Sequence, residues 1–237
     1  MFFFVFELQL NYRVCFYSPI FVLYLNQMTA EIKQLFNFLE ISEKLKTTKR
    51  FLNTKEMEQK ESSADHSWNL ALLTFMTADE LKLDIDILRA VKIALVHDLV
   101  EALAGDTDYS LIAFGIKTPA EKNEKEISAM KIIERVAPKK SGQELVNLWQ
   151  EYEKAETREA RFVKALDKIE GINHMLCKGH KCFDHPELVA PYPNKAVQNF
   201  PELIPMLQEL QERLKPEFAK HGWEWKKEYE IKEIKNG

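Results

Sequence analysis

The 237-residue sequence has few cysteines, few glycines and no long apolar run, and each shortage excludes a class of protein. Its three cysteines, Cys15, Cys177 and Cys182, form no even framework for disulfides, which indicates a reducing, intracellular location. No segment supplies the roughly 20 consecutive apolar residues that a membrane-spanning helix needs. No glycine-rich phosphate loop occurs either. We therefore expect a cytoplasmic protein with no stable membrane partner.

Clusters of positive charge are also missing. The formal net charge is -4, and the few paired lysines are short and interrupted by acidic residues. Binding to a nucleic-acid backbone needs clustered Lys and Arg to replace counterions, so we expect no nucleic-acid partner. Hydrophobic residues make up 46% of the chain, which is ample for a packed core. The length and composition together predict one globular domain.

The first 27 residues differ from the rest of the chain in being rich in aromatic and aliphatic side chains. Glu7 and Arg13 interrupt the apolar pattern, and no basic region precedes it as in a signal peptide. Met28 then opens MTAEIKQLFNFLE, a normal cytosolic start. We expect residues 1–27 to be an extension outside the functional product; a membrane or export role and a packed extra segment are the alternatives. The domain is expected over residues 28–222, followed by a charged tail over residues 223–237.

From residue 32 onwards, apolar residues recur at helical spacing, and no strand alternation or internal repeat is found. The pattern predicts helices from residue 64 to 81 and from about 86 without interruption to Gly105. A capping box of Thr118 and Glu121 predicts the start of a helix that continues to about Val136. Pro138 and Gly142 are predicted to break the chain before a helix over 144–156. Thr157 is predicted to cap the next helix, and a last one runs through the leucines at 203–214. Residues 47–63 and 184–201 are predicted to be irregular. The predicted fold class is all-α.

One predicted helix, ALVHDLVEALAGD, has the apolar content of a core helix yet contains three titratable groups, His97, Asp98 and Glu101. On a continuous helix these side chains lie within roughly a 100° arc and can converge. His66 and Asp167 likewise interrupt apolar patterns elsewhere. Buried carboxylates and imidazoles must be paired or bind a metal ion. His66, His97, Asp98 and Asp167 together form a suitable N2O2 set for one divalent ion.

This order of residues resembles the H…HD…D signature of the HD-domain metal-dependent phosphohydrolases. The blocks KESSADHSW, LVHDLVEALAGDT and EARFVKALDKIEG are similar to those of the branch that includes the 5'-deoxynucleotidases. The resemblance covers roughly residues 45–171. It implies a single-domain, all-α HD-domain bundle that forms a homodimer. It also implies one divalent cofactor ion (Mn, Co, Ni, Mg or Zn) and release of phosphate from (deoxy)ribonucleoside 5'-monophosphates.

The resemblance also implies residue roles. His66, His97, Asp98 and Asp167 match the metal ligands of the family. Glu101 matches the position that acts on the metal-bound water. Asp106 matches a second acidic position that lines the same site and can manage the proton of the leaving group. Arg50 matches an arginine near the substrate phosphate, although its context, TTKRFLN, is less aromatic than is usual there.

Other functions stay open at this point. The enzyme could be a phosphodiesterase or act on another phosphorylated metabolite, and a non-catalytic helical module that retains its metal is the alternative of another class. The stretch HMLCKGHKCFDH offers a rival zinc site, but its spacing is not that of a zinc knuckle. Its five possible ligands are His174, Cys177, His180, Cys182 and His185.

The sequence also predicts the exposure of five single side chains. Trp68 and Phe75 are expected in the core. Glu61 is expected at the surface, and Lys164 and Lys168 are left out of the site because helix lysines are usually exposed.

Overall fold

The computed structural model describes residues 19–231 except 52, 53, 55 and 56, and it leaves out the side chains of residues 19, 21 and 22. The α-helices, in chain order, are α1 (Pro19–Ser42), α2 (Ser63–Glu80), α3 (Ile87–Val96), α4 (Glu101–Ala104), α5 (Tyr109–Ala113), α6 (Pro119–Val136), α7 (Lys139–Lys154), α8 (Arg158–Lys178), α9 (Pro186–Val189), α10 (Asn194–Gln198) and α11 (Ile204–Lys220). Within these residues no β-strand forms, and the only extended pairing is an isolated bridge between Lys49 and Ser62. The all-α prediction is confirmed. No helix in the described part of the chain is long and apolar enough to span a bilayer.

Helix α8 lies at the centre of the molecule. Its side chains Phe162, Leu166 and Ile169 are buried, and it packs against α2, α3, α7, α10 and α11. Thr157 caps its N-terminus by accepting a hydrogen bond from the Ala160 N–H, as predicted. A polar residue on the inner face of α8 is therefore buried against several helices at once.

Helix α2 begins with a capping box. The Ser62 hydroxyl accepts the Asp65 N–H at 3.1 Å, while the Asp65 carboxylate accepts the Ser62 N–H at 3.1 Å and its hydroxyl at 2.7 Å. This motif satisfies N–H groups that have no partner inside the helix. It fixes the first turn of α2 and with it the position of His66. The predicted start at residue 64 is one residue late.

The predicted uninterrupted helix up to Gly105 is wrong. Helix α3 ends at Val96, a turn covers residues 97–100, and α4 begins at Glu101. The turn is closed by short-range bonds such as Leu99 N–H to Val96 O at 3.0 Å and Glu101 N–H to Asp98 O at 2.9 Å. Such i→i−3 bonds wind the backbone more tightly than an α-helix does. His97 and Asp98 therefore lie at a break between two helices.

Helix α7 also differs from its prediction, because it starts at Lys139 instead of residue 144. Gly142, which was expected to help break the chain, lies inside this helix. A Cβ atom at this position would lie 2.6 Å from the carbonyl oxygen of Glu134. The glycine therefore permits a close approach between the start of α7 and the end of α6.

The segment over residues 184–201 is less irregular than predicted. It contains the short helices α9 and α10, both of which contribute buried side chains, Val189 and Val197. Proline at the start of α9 is compatible with a helix because the first residues of a helix do not need to donate a hydrogen bond within it.

The described ends of the chain bear on the predicted domain boundaries without testing them. Helix α1 begins at Pro19 and continues across the boundary between residues 27 and 28, whereas residues 1–18 lie outside the described part. At the other end, Tyr229 and Ile231 are buried, and the Gln211 amide donates to the Tyr229 carbonyl at 2.8 Å. Part of the predicted tail thus packs on α11. The division of the chain stays a prediction.

Candidate metal centre

The four side chains that the sequence analysis selected as metal ligands meet in the interior. His66 comes from α2, His97 and Asp98 from the turn after α3, and Asp167 from α8. Candidate ligand atoms of His66, His97 and Asp98 all lie within 4.8 Å of one another. Asp167 Oδ1 is 3.1 Å from His66 Nε2. His66, His97 and Asp167 are buried, and Asp98 is partly buried beside a cavity.

The donor atoms in this cluster fit a bound cation. Metal–ligand bonds of about 2.0–2.2 Å place neighbouring ligand atoms roughly 3–3.6 Å apart. The observed separations are 3.1 Å for His97 Nε2 to Asp98 Oδ2 and 3.8 Å for His66 Nε2 to Asp98 Oδ2. His97 Nδ1 donates to the Ala94 carbonyl at 2.8 Å, and its buried Nε2 has no hydrogen-bond partner. In the neutral ring, the Nε2 lone pair then faces a carboxylate oxygen, an arrangement that a cation between them would stabilise.

Glu170 holds the second imidazole, a contact that the sequence analysis did not identify. The Glu170 carboxylate makes a buried hydrogen bond to His66 Nδ1, so Nε2 is directed towards Asp98 and Asp167. Carboxylate partners of this kind fix the tautomer and the orientation of metal-binding histidines. Burial and the charge of Arg50 oppose protonation, but the hydrogen bonds to Asp167 and Glu170 raise the pKa of His66 to about 9. A metal ion at Nε2 therefore has to displace a proton.

Asp167 is held by two further neighbours, Tyr152 and Lys168. The Tyr152 hydroxyl donates to Asp167 Oδ2, and Lys168 Nζ lies 2.9 Å from the same oxygen. Burial opposes ionisation of Asp167, yet Lys168 and His66 hold its pKa well below the ordinary value. Because both neighbours use Oδ2, Oδ1 stays directed to the cluster. Lys168, which was left out of the predicted site as an exposed helix lysine, lies beside a candidate ligand, and its side chain is about three-quarters buried.

Arg50 lies beside the cluster, and a short antiparallel contact puts it there. The Arg50 N–H donates to the Glu61 carbonyl at 2.9 Å, and the Ser63 N–H donates to the Thr48 carbonyl at 3.0 Å. These bonds join the start of the loop before α2, at Thr48 and Arg50, to the end of the same loop, at Glu61 and Ser63. Arg50 Nη1 then donates to Asp98 Oδ2 at 3.0 Å. Burial opposes ionisation of Asp98, but His97, Arg50 and His66 hold its pKa below the ordinary value.

Glu101 and Asp106 form an acidic pair next to the ligands. The Ser63 hydroxyl donates to Glu101 Oε2 at 2.6 Å, and Glu101 also shares a hydrogen bond with Asp106. Burial, Asp98 and Asp106 raise the pKa of Glu101 well above its ordinary value. Burial is also the largest cause that raises the pKa of Asp106, to about 6, and Arg50 opposes it. The pair can therefore hold a proton near neutral pH, as an acid–base pair requires.

These groups open onto one cavity of about 440 Å³. Its charged walls include Arg50, Asp98, Glu101, Asp106, Asp167 and Lys168. A cavity of this size suits a small ligand, and it combines candidate metal ligands, the Arg50 guanidinium and two protonatable carboxyl groups.

Two expectations about buried and exposed side chains are wrong. Glu61, expected at the surface, is 4% exposed and lies 3.0 Å from His174 Nδ1 and 3.5 Å from Arg50 Nε. Trp68 and Phe75, expected in the core, are 64% and 43% exposed. The apolar positions of α2 do not all face inward, and the sequence pattern does not indicate which face of α2 packs against α8.

The residues of the rival zinc stretch do not converge. His174 contacts Glu61, His180 contacts Glu217 and His185 contacts Glu187. Cys177 is exposed and Cys182 is buried. In the described residues, the groups that could hold a metal ion involve His66 in each case, once with His97 and Asp98 and once with Glu61 and Glu170. The second group lies around the Nδ1 edge of the ring, which already bonds to Glu170.

The fold and the site define the class: an all-α protein with a buried set of candidate His/Asp metal ligands beside an acidic cavity. The family model for the HD domain matches residues 42–191. The chain therefore belongs to the HD domain family, as the sequence resemblance implied.

Individual relatives agree with this assignment. The chain is 30% identical to the 5'-deoxynucleotidase HDDC2 of Xenopus laevis over 193 residues, covering 80% of this chain and 92% of that protein. It is 39% identical to the mouse HDDC2 over 119 residues, which is 50% of this chain and only 56% of the mouse protein. A solved structure described as a predicted metal-dependent phosphohydrolase from Magnetospirillum magnetotacticum is 27% identical, with a TM-score of 0.64. That match covers 81% of this chain and 95% of the other.

Proposed function

We propose that this chain is a metal-dependent phosphomonoesterase that releases phosphate from deoxyribonucleoside 5'-monophosphates. One observation carries the chemistry: candidate ligand atoms of His66, His97 and Asp98 lie within 4.8 Å of one another, and Asp167 Oδ1 lies 3.1 Å from His66 Nε2. The substrate class is taken from the 5'-deoxynucleotidase relatives.

In this proposal, His66, His97, Asp98 and Asp167 hold one divalent ion of the Mn, Co, Ni, Mg or Zn group. When bound, the ion supplies a water of lowered pKa and polarises a phosphoryl oxygen. The remaining residues act through their own groups. Glu101, supported by the Ser63 hydroxyl, orients and deprotonates the attacking water, and Asp106 returns a proton to the leaving oxygen. Arg50 offsets the negative charge of the phosphate.

The test uses the full chain, stripped of metal and then supplied with each of the five ions separately. Phosphate release is measured with deoxyribonucleoside 5'-monophosphates, the corresponding ribonucleotides, a 3'-monophosphate and a phosphodiester. We expect release from the 5'-monophosphates in the presence of at least one ion and none in a chelator. Release from the diester alone would assign the site to a different reaction, and release from no phosphate ester with any ion would refute the enzyme.

We also propose that the protein is a homodimer that uses the exposed apolar side chains of α2. Trp68, Leu72, Phe75 and Met76 recur at helical spacing and are 39–64% exposed. Contiguous apolar surface of this kind usually marks an interface. Sedimentation should give a dimer for the natural sequence and a monomer for Phe75→Glu. A monomeric natural protein would contradict the proposal.

Finally, we propose a cytoplasmic location. The chain has only three cysteines, which form no even framework for disulfides, as is common in a reducing compartment. Fractionation of cells with an antibody against the chain tests this location, and recovery in the secreted fraction would contradict it.

A further inference from the structure

An aromatic pair lines the same cavity as the candidate ligands Asp98 and Asp167, and no step of the proposed reaction uses it. Tyr109 begins α5, and Tyr192 follows α9. Their ring centroids are 4.7 Å apart with an interplanar angle of 56°. Both line the cavity, and Tyr109 is 48% exposed. About half of this large aromatic side chain is therefore accessible to solvent.

A short series of contacts links this pair to the ligand cluster. Lys168 Nζ is 2.9 Å from Asp167 Oδ2, and the same ammonium lies 5.2 Å from the centroid of the Tyr192 ring. Tyr192 in turn contacts Tyr109. The tyrosines therefore lie close enough to the candidate ligands for the base of a nucleotide to reach them while its phosphate lies at the cluster.

The chain also connects Tyr109 directly to the reacting groups. Asp106 lies three residues before it, and the intervening residues line the same cavity. The Asp108 side chain accepts the Ser110 N–H at 2.9 Å and so fixes the start of α5. The ring of Tyr109 is thereby placed on a structured turn, in which its orientation costs little further ordering when a ligand binds.

From this geometry we propose that Tyr109, supported by Tyr192, is the stacking platform for the base of the substrate. The inference rests on the proposed function and adds to it the group that recognises the nucleoside part. A planar aromatic base gains energy from stacking on a tyrosine ring whatever its hydrogen-bonding edge, whereas a sugar phosphate without a base gains nothing there.

The experiment compares dAMP with deoxyribose 5-phosphate, which has the same phosphate and sugar but no base. For Tyr109→Leu we expect kcat/KM for dAMP to fall about 10-fold, which corresponds to about 1.4 kcal/mol. The value for deoxyribose 5-phosphate should change by less than about 2-fold. Tyr109→Phe should restore the value for dAMP, since it keeps the ring. The matched control is Phe114→Leu, because Phe114 is an equally exposed aromatic residue just after α5 that contacts His185.

Equal losses on both compounds, or no loss on either, would overturn the platform. So would a natural protein that does not prefer dAMP over deoxyribose 5-phosphate. Calorimetry with the metal-supplied protein measures the dissociation constant of dAMP and so tests the platform even without turnover. For Tyr109→Leu we expect this dissociation constant to rise about 10-fold. Absence of phosphate release from both compounds, together with this loss of binding, would instead refute the proposed reaction and keep the platform.

Discussion

The contact between Glu170 and His66 leads to a prediction about metal affinity. Glu170 is the hydrogen-bond partner of His66 Nδ1, and both side chains are almost fully buried. Replacing Glu170 with Ala leaves the imidazole free to rotate or to change tautomer, so Nε2 no longer has a fixed direction. Removal of such a supporting carboxylate typically weakens metal binding about 10–100-fold. This corresponds to roughly 1.4–2.7 kcal/mol, which matches the usual contribution of a charge-assisted buried hydrogen bond.

Two variants separate orientation from charge. Glu170→Ala should weaken binding of the ion by about 100-fold, whereas Glu170→Gln should lose about 10-fold because its amide oxygen can still accept the Nδ1–H. The measurement is calorimetric titration of the metal-free protein, with thermal unfolding of the same samples to show that each variant is folded. Glu209→Gln, at an exposed ion pair on α11, is the control and should bind the ion unchanged. Affinities for Glu170→Ala within 2-fold of the natural protein would refute the reasoning.

Three further outcomes follow from the same geometry. Asp98→Ala should lose metal binding and activity together, whereas Glu101→Gln should keep the metal and lose rate; equal metal loss in calorimetry would move Glu101 into the ligand set. A saturating ion, at about 100 times its dissociation constant, should stabilise the fold by about 2.7 kcal/mol and raise Tm by roughly 5–10 °C, and an unchanged melting curve in a chelator would contradict this. Asp65→Ala should cost about 1 kcal/mol at pH 7. Because the hydrogen bonds from Ser62 lower the pKa of Asp65 in the folded state, this contribution is present above about pH 4 and lost as the pH falls further. The free energies of unfolding of the two proteins, measured in urea, should therefore converge near pH 3. A difference that stayed constant with pH would refute the capping role.

Much of the fold follows from local signals in the sequence. Thr118 and Glu121 form the predicted capping box of α6, and Thr157 caps α8, because these side chains bond to backbone groups within three residues. The break at residues 97–100 was not predictable in the same way. Its residues include Leu99 and Val100, which are compatible with a helix, and no glycine or proline marks the turn.

The site shows the same division. Histidines and carboxylates inside apolar segments were recognisable as candidate ligands, because burial of such groups needs compensation. The residues that support these candidate ligands were not recognisable. Glu170 and Tyr152 fit ordinary helical sequence, and their roles arise only from contacts with residues 104 and 15 positions away. Burial of Glu61 likewise depends on how the loop before α2 folds back, which no local pattern specifies.

The two candidate imidazole ligands are oriented by different kinds of acceptor, and this has a consequence for how the centre can change by mutation. His97 donates to a main-chain oxygen, that of Ala94, whereas His66 donates to a side chain. Every amino acid carries a main-chain carbonyl oxygen, so a substitution at residue 94 that keeps the helix also keeps the acceptor of His97. The orientation of His97 is therefore insulated from most sequence variation. The orientation of His66, by contrast, depends on which side chain residue 170 carries. Variation among descendants of this chain can therefore tune the affinity for the ion mainly from one side of the site.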